Sequence, residues 1–220
     1  MPIGTQSRRR DLRELILGYA LILVVLWTPR PWQRLLYGIA AAFLIAVLCL
    51  SFRGFQSMGL STTNLARSLW IIGVALLLCA IAALIADHVG TLQHNGGFLP
   101  FVKRYWGYAL WASAQQLLLQ DFFLVRLLRL IARPHAAALT AAAMFSLAHL
   151  PSPILTVVTF IWGWLACLLF LRYRNLYPLA LSHAILGITM AVTIPGLVTR
   201  NMRVGLGYLT YAHRGFHRTR

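Results

Sequence analysis

Apolar residues run along this chain in long blocks separated by short basic segments, and the blocks set its elements. Seven stretches read as membrane helices: Leu15–Trp27, Leu35–Leu50, Ser68–Ala86, Tyr105–Ile131, Ala136–Leu150, Pro153–Leu171 and Pro178–Val192. Ser51–Arg67 reads as a polar connector, Asp87–Arg104 as the longest polar loop, and Arg200–Arg220 as a basic tail. Arg8, Arg9, Arg10 and Arg13 ahead of the first block resemble the start of a secretory signal, yet Thr28-Pro29-Arg30-Pro31 offers no small-residue cleavage site, so the block is expected to be retained. The pattern predicts an all-α fold, a polytopic transmembrane helix bundle of about seven spans within a range of six to eight. It divides into a basic segment with two spans (1–51), a transmembrane core (52–195) and the tail (196–220). No internal repeat appears.

Composition narrows the class. Apolar residues make up 60% of the 220, mean hydropathy is +0.73, and only 11% are charged. A soluble domain carries about 25% charged residues, so disorder, a disulfide-rich secreted scaffold and an ordinary cytosolic enzyme are excluded. The net charge of +16 sits between apolar blocks and not on a basic face with interleaved aromatics, so it reads as membrane topology and no nucleic-acid partner is expected. With the N-terminus cytoplasmic, inside segments hold eleven arginines and outside loops hold Arg30, Arg34, Lys103 and Arg104. The predicted location is therefore a multi-pass position in the plasma (inner) membrane. Seven spans would leave the tail's five arginines outside, so either an eighth segment lies around Val192–Tyr211 or one of the seven is not a span. Cys49, Cys79 and Cys167 each fall inside an apolar block and read as small buried hydrophobes.

Polar side chains inside spans need a reason, because hydrocarbon solvates them poorly. The fourth block holds Gln115, Gln116, Gln120 and Asp121. At about 100° per residue from Gln115, Gln116 falls near 100° and Gln120 near 140°, while Asp121 turns away to about 240°. Arg126 returns to the glutamine face near the helix end. The amides serve either as packing glue between helices or as the lining of a cavity, and Asp121 either pairs with Arg126 or Arg129 or acts chemically. His149 closes Phe145-Ser-Leu-Ala-His149, and His183 lies in the last block. Neutral imidazole is the cheapest proton carrier to bury. His88, His94, His135, His213 and His217 read as solvated.

These residues resemble the CPBP family of intramembrane proteases, which includes the CAAX prenyl proteases. Its pattern is Glu-Glu-x-x-x-Arg, then Phe-x-x-x-His, then His-x-x-x-Asn. Phe145 to His149, followed by Leu-Pro, matches the second motif, His183 begins the third, and Gly54–Ser61 resembles the connector before the family core. The first motif departs. In one register Gln115 and Gln116 replace the two glutamates and Gln120 the arginine, 34 residues before His149. In the other, Asp121 is the first carboxylate and Arg126 the arginine, with 28 residues to His149. Gly187 stands where the family has Asn.

The resemblance implies that a glutamate and a histidine activate water against a peptide carbonyl, while histidine and asparagine hold the oxyanion. Glutamine has no accessible basic pKa and can orient water without taking its proton. Three functions stay open: an endopeptidase acting on membrane-embedded or lipid-modified peptides, with the base from Asp121 or His149 and the oxyanion contact from His183; a catalytically impaired protein of the same fold binding a membrane partner; and a small proton-coupled transporter. The site residues expected to converge are Gln115, Gln116, Gln120, Asp121, Arg126, His149 and His183. No cofactor is expected, and a metal held by both histidines and Asp121 is a poor prospect, since their helical faces diverge. The partners implied are membrane lipid and a lipidated or membrane-embedded peptide or protein.

Overall fold

The computed structural model describes residues 5–93 and 96–211. His94, His213, His217 and the last nine residues of the basic tail lie outside the described residues. In chain order the elements are α1 (Thr5–Trp27), α2 (Trp32–Leu50), α3 (Leu65–Ser68), α4 (Trp70–His88), α5 (Phe98–Leu117), a π-helical turn (Leu118–Leu124), α6 (Val125–Leu130), α7 (Pro134–Leu147), α8 (Pro153–Tyr173), α9 (Leu176–Thr193), α10 (Gly196–Thr199) and α11 (Gly205–Leu209). Among the described residues there is no strand, as the sequence predicts.

The predicted spans differ in length and apolarity. Among the described residues four helices are, by length and composition, able to cross a membrane: Trp32–Leu50, the run Leu65–His88, Pro153–Tyr173 and Leu176–Thr193. The first block has only thirteen residues, and α1 extends it backwards into six charged ones, from Arg8 to Glu14. The fourth block opens earlier than expected, at Phe98, and is interrupted by the π turn. Helix α7 has 14 residues, or about 21 Å, short of a ~30 Å hydrocarbon layer. It ends at Leu147, so His149 lies in the turn before α8 and not inside a helix. The segment considered as an eighth span holds only α10 and α11, of four and five residues.

The chain divides into two compact units. The first takes residues 5–53, 119–168 and 203–211. Here α1 packs antiparallel to the π turn and α6 on three successive rungs. Arg129 donates to Asp11 at 2.9 Å, Arg126 donates to Glu14 at 2.8 Å, and the Phe122 ring presses on the α1 backbone at Gly18, where a Cβ would lie 2.5 Å from Cζ. Tyr19 meets Phe123 edge-on at 6.0 Å beside the last rung. Helix α7 starts with Pro134 after extended Arg133, the backbone that the residue before proline prefers. Its buried Ala137, Ala138, Ala141 and Ala142 let α8 approach closely at Gly163, which is how small residues bring membrane helices together. Gly205 has φ +56°, sits against the Leu26 carbonyl and donates its N–H to Leu150 O at 2.7 Å, tying α11 to α1 and to the turn after His149.

The second unit takes Gly54–Leu118 and Leu169–Met202, with α9 packed by α4 and α5. The connector 54–63 is latched to the start of α9. Leu176 N–H donates to Gly59 O, and Arg174 holds Ser57 O through both Nε and Nη2. Fully buried Asn175 caps α9 by accepting from Tyr177 N–H while donating to Ser61 O and Thr63 O at 2.9 Å each. Gly59 is required there, since φ is +68° and a Cβ would lie 3.0 Å from Arg174 O. Asn175→Ala removes a cap and the donor to two part-buried carbonyls, so it is expected to cost about 1–2 kcal/mol. Thermal unfolding in detergent measures this, and a loss under about 0.5 kcal/mol would mean the latch is idle.

Candidate active site

The Phe-x-x-x-His segment builds its histidine locally. Phe145 lies one turn before His149, its ring meets the imidazole edge-on at 4.9 Å, and its carbonyl lies 2.7 Å from His149 Nδ1. A carbonyl only accepts, so Nδ1 carries the proton and Nε2 keeps its lone pair. Burial pushes the His149 pKa below the ordinary histidine range, opposed by the bond to Phe145 O. The outcome is a neutral imidazole with a basic Nε2.

His183 is held the other way. It is buried on α9, and its Nδ1 lies 3.2 Å from Gln116 Nε2 on α5, which is itself fully buried. An amide nitrogen donates and does not accept, so His183 Nδ1 accepts and its Nε2 carries the proton. The two histidines therefore present opposite groups: a lone pair on His149 and an N–H on His183. Gln115 is half-buried beside Gln116.

The other predicted positions fall in the π turn or just after it. Bonding of i to i+5 begins at Leu118, so the 100° steps that assigned faces to Gln120 and Asp121 do not apply there. Both are buried, and Gln120 is hydrogen-bonded to the Cys167 thiol. Cys167 is buried as expected, but Cys49 is exposed and Cys79 half-exposed; all three are free.

Arg126 is 1% exposed. Its Nε and Nη2 go to Glu14, Nη2 also to Ser51 Oγ at 3.1 Å, and Nη1 to the carbonyls of Asp121 and Phe122 at 3.3 and 3.0 Å. The guanidinium also lies over the Phe122 ring, 4.4 Å from its centroid. A π turn disturbs the regular carbonyl pairing, and Arg126 supplies the missing donors. Arg129 is likewise taken by Asp11. Asp11 and Glu14 lie among the arginines ahead of the first apolar block, where only their partners on α6 give them a role.

Among the described residues, no three His, Cys, Asp or Glu side chains are grouped to hold a metal ion. His88 and His135 are exposed.

Residues 114–189 match the family model described as type II CAAX prenyl endopeptidase Rce1-like. That stretch holds Gln115, Gln116, Gln120, Asp121, Arg126, His149 and His183. No curated protein and no solved structure matches the chain.

Proposed function

We propose that this integral membrane protein, whose residues 114–189 match the model of the Rce1-like CAAX prenyl endopeptidases, is an endopeptidase whose base is His149 and whose oxyanion donor is His183. The observation that carries the reading is the turn at His149, where the Phe145 carbonyl takes Nδ1–H and leaves Nε2 as the basic nitrogen. His149 Nε2 takes a proton from water as the oxygen attacks the peptide carbonyl, and returns it to the leaving amine. His183 Nε2–H donates to the oxyanion that forms between those steps.

Gln116 then has a positive role. A carboxylate there would accept from His183 Nδ1–H and leave Nε2 without its proton, whereas the amide donates to Nδ1 and keeps Nε2 protonated. Gln116→Glu is accordingly expected to lower kcat by about 10²-fold. A rise in kcat would instead show that a carboxylate base was missing.

A membrane-embedded or lipid-modified peptide is the proposed substrate class, because His183 sits on a helix of membrane-crossing length and apolarity. The arginine bias supports a cytoplasmic N-terminus in the plasma (inner) membrane. The test is mass spectrometry of three peptides incubated with the protein in liposomes: a prenylated peptide, its unmodified twin and a transmembrane peptide. Cleavage of the prenylated or the transmembrane peptide is expected. Failure to cleave any of the three would overturn the reading.

A further inference from the structure

Glycine at 187 leaves a hole in α9, and that hole is filled. A Cβ built there would overlap the Tyr108 hydroxyl oxygen itself, and would lie 2.6 Å from Cζ and 2.7 Å from Cε1. The phenol of α5 thus ends against the α9 backbone, with its O–H in the space that a side chain at 187 would occupy. Position 187 is four residues after His183, so both lie on one face of α9, about 6 Å apart along the axis. Gly187 and His183 are both buried. Tyr108 and Gln116 stand on the same helix, eight residues apart, and α5 packs along α9. One helix pair therefore presents two donors to a common face: His183 Nε2–H, with its tautomer set by Gln116, and the Tyr108 O–H.

We propose that Tyr108 is a catalytic residue, its hydroxyl donating to the oxyanion as the second partner of His183 and replacing the side chain that Gly187 lacks. The inference rests on the endopeptidase reading above and deepens it. The tetrahedral oxyanion carries more charge than the ground-state carbonyl and takes two donors where a site offers them. A phenol suits this role in an apolar setting: it donates one hydrogen bond, carries no charge to desolvate, and is held by its ring. The bare alternative is that Tyr108 only fills space beside a glycine.

Tyr108→Phe separates the two, because it keeps the ring and removes only the donor. Expected is a drop in kcat of about 10²–10³-fold with KM changed less than about threefold, and an unfolding temperature matching wild type. The second arm needs no turnover. A peptidyl phosphonate, which mimics the tetrahedral oxyanion, should bind Tyr108→Phe at least tenfold more weakly than wild type, while the parent peptide amide binds both equally. In the third arm, Tyr108→Ala clears the space and Tyr108→Ala/Gly187→Asn fills it from α9 with an amide donor. The double variant is expected to recover at least tenfold over the single one.

Tyr108→Phe with kcat within threefold of wild type and unchanged phosphonate binding would overturn the proposal and leave the endopeptidase reading standing. A wild type that neither cleaves peptide nor prefers the phosphonate would overturn both.

Discussion

Replacing His149 with alanine is expected to lower cleavage by about 10²–10⁴-fold, the range lost with a general base, while the protein stays folded. The imidazole bonds back to Phe145 O within its own turn, so its loss disturbs little beyond that turn. The pH profile of the wild type adds a second readout. A base works when unprotonated, so kcat/KM falls as pH drops through the pKa of His149. Burial lowers that pKa, so the acid limb should lie below the position an ordinary histidine would give. His149→Ala should abolish this limb. Retention of both the rate and the limb would move the base elsewhere, with Asp121→Asn the next variant to measure.

Arg126→Ala is expected to cost about 3–5 kcal/mol, as when one partner of a buried ion pair is removed. Three losses coincide. Glu14 loses its buried partner and keeps Arg10, which donates at 2.7 Å from the exposed side. The carbonyls of Asp121 and Phe122 lose the donor that holds them in the π turn. The guanidinium also leaves the face of Phe122. Chemical unfolding in detergent measures the cost, and Arg126→Lys should recover only part of it, since one ammonium cannot reach a carboxylate and two carbonyls with the fork's geometry. A loss under about 1 kcal/mol for Arg126→Ala would show that the turn holds itself. Glu14→Gln, which keeps an acceptor, should cost less than Arg126→Ala.

The all-α fold was legible because apolar blocks this long leave no other way to satisfy the backbone in a membrane, and Phe145, His149 and His183 carried the resemblance to the family whose model matches residues 114–189. Block edges were not, because charges and apolar residues share helices: α1 runs from Thr5 through Arg8 to Trp27 without a break. The π turn was invisible to arithmetic that assumes 100° per residue. A signal for its pairing with α1 was nonetheless present. Asp11, Glu14 and Gly18 are spaced three and four apart, and Phe122, Arg126 and Arg129 repeat those intervals in reverse, which is the signature of an antiparallel ladder. Tyr108 carried no such mark. Only placing its hydroxyl against position 187 gives it a role.

The bond from Gly205 to Leu150 has a consequence for how the chain is made. The unit that carries His149 draws on residues 5–53, on 119–168 and on 203–211, so it cannot close until its last piece has been synthesised. At 5–20 residues per second, the ~150 residues between positions 53 and 205 take roughly 8–30 s. Throughout that interval α1 waits without α11, and over its last ~55 residues the carbonyl of Leu150 waits for its N–H. The histidine-bearing turn is therefore among the last parts of the nascent protein to be secured, and that final stitch depends on a residue with no side chain.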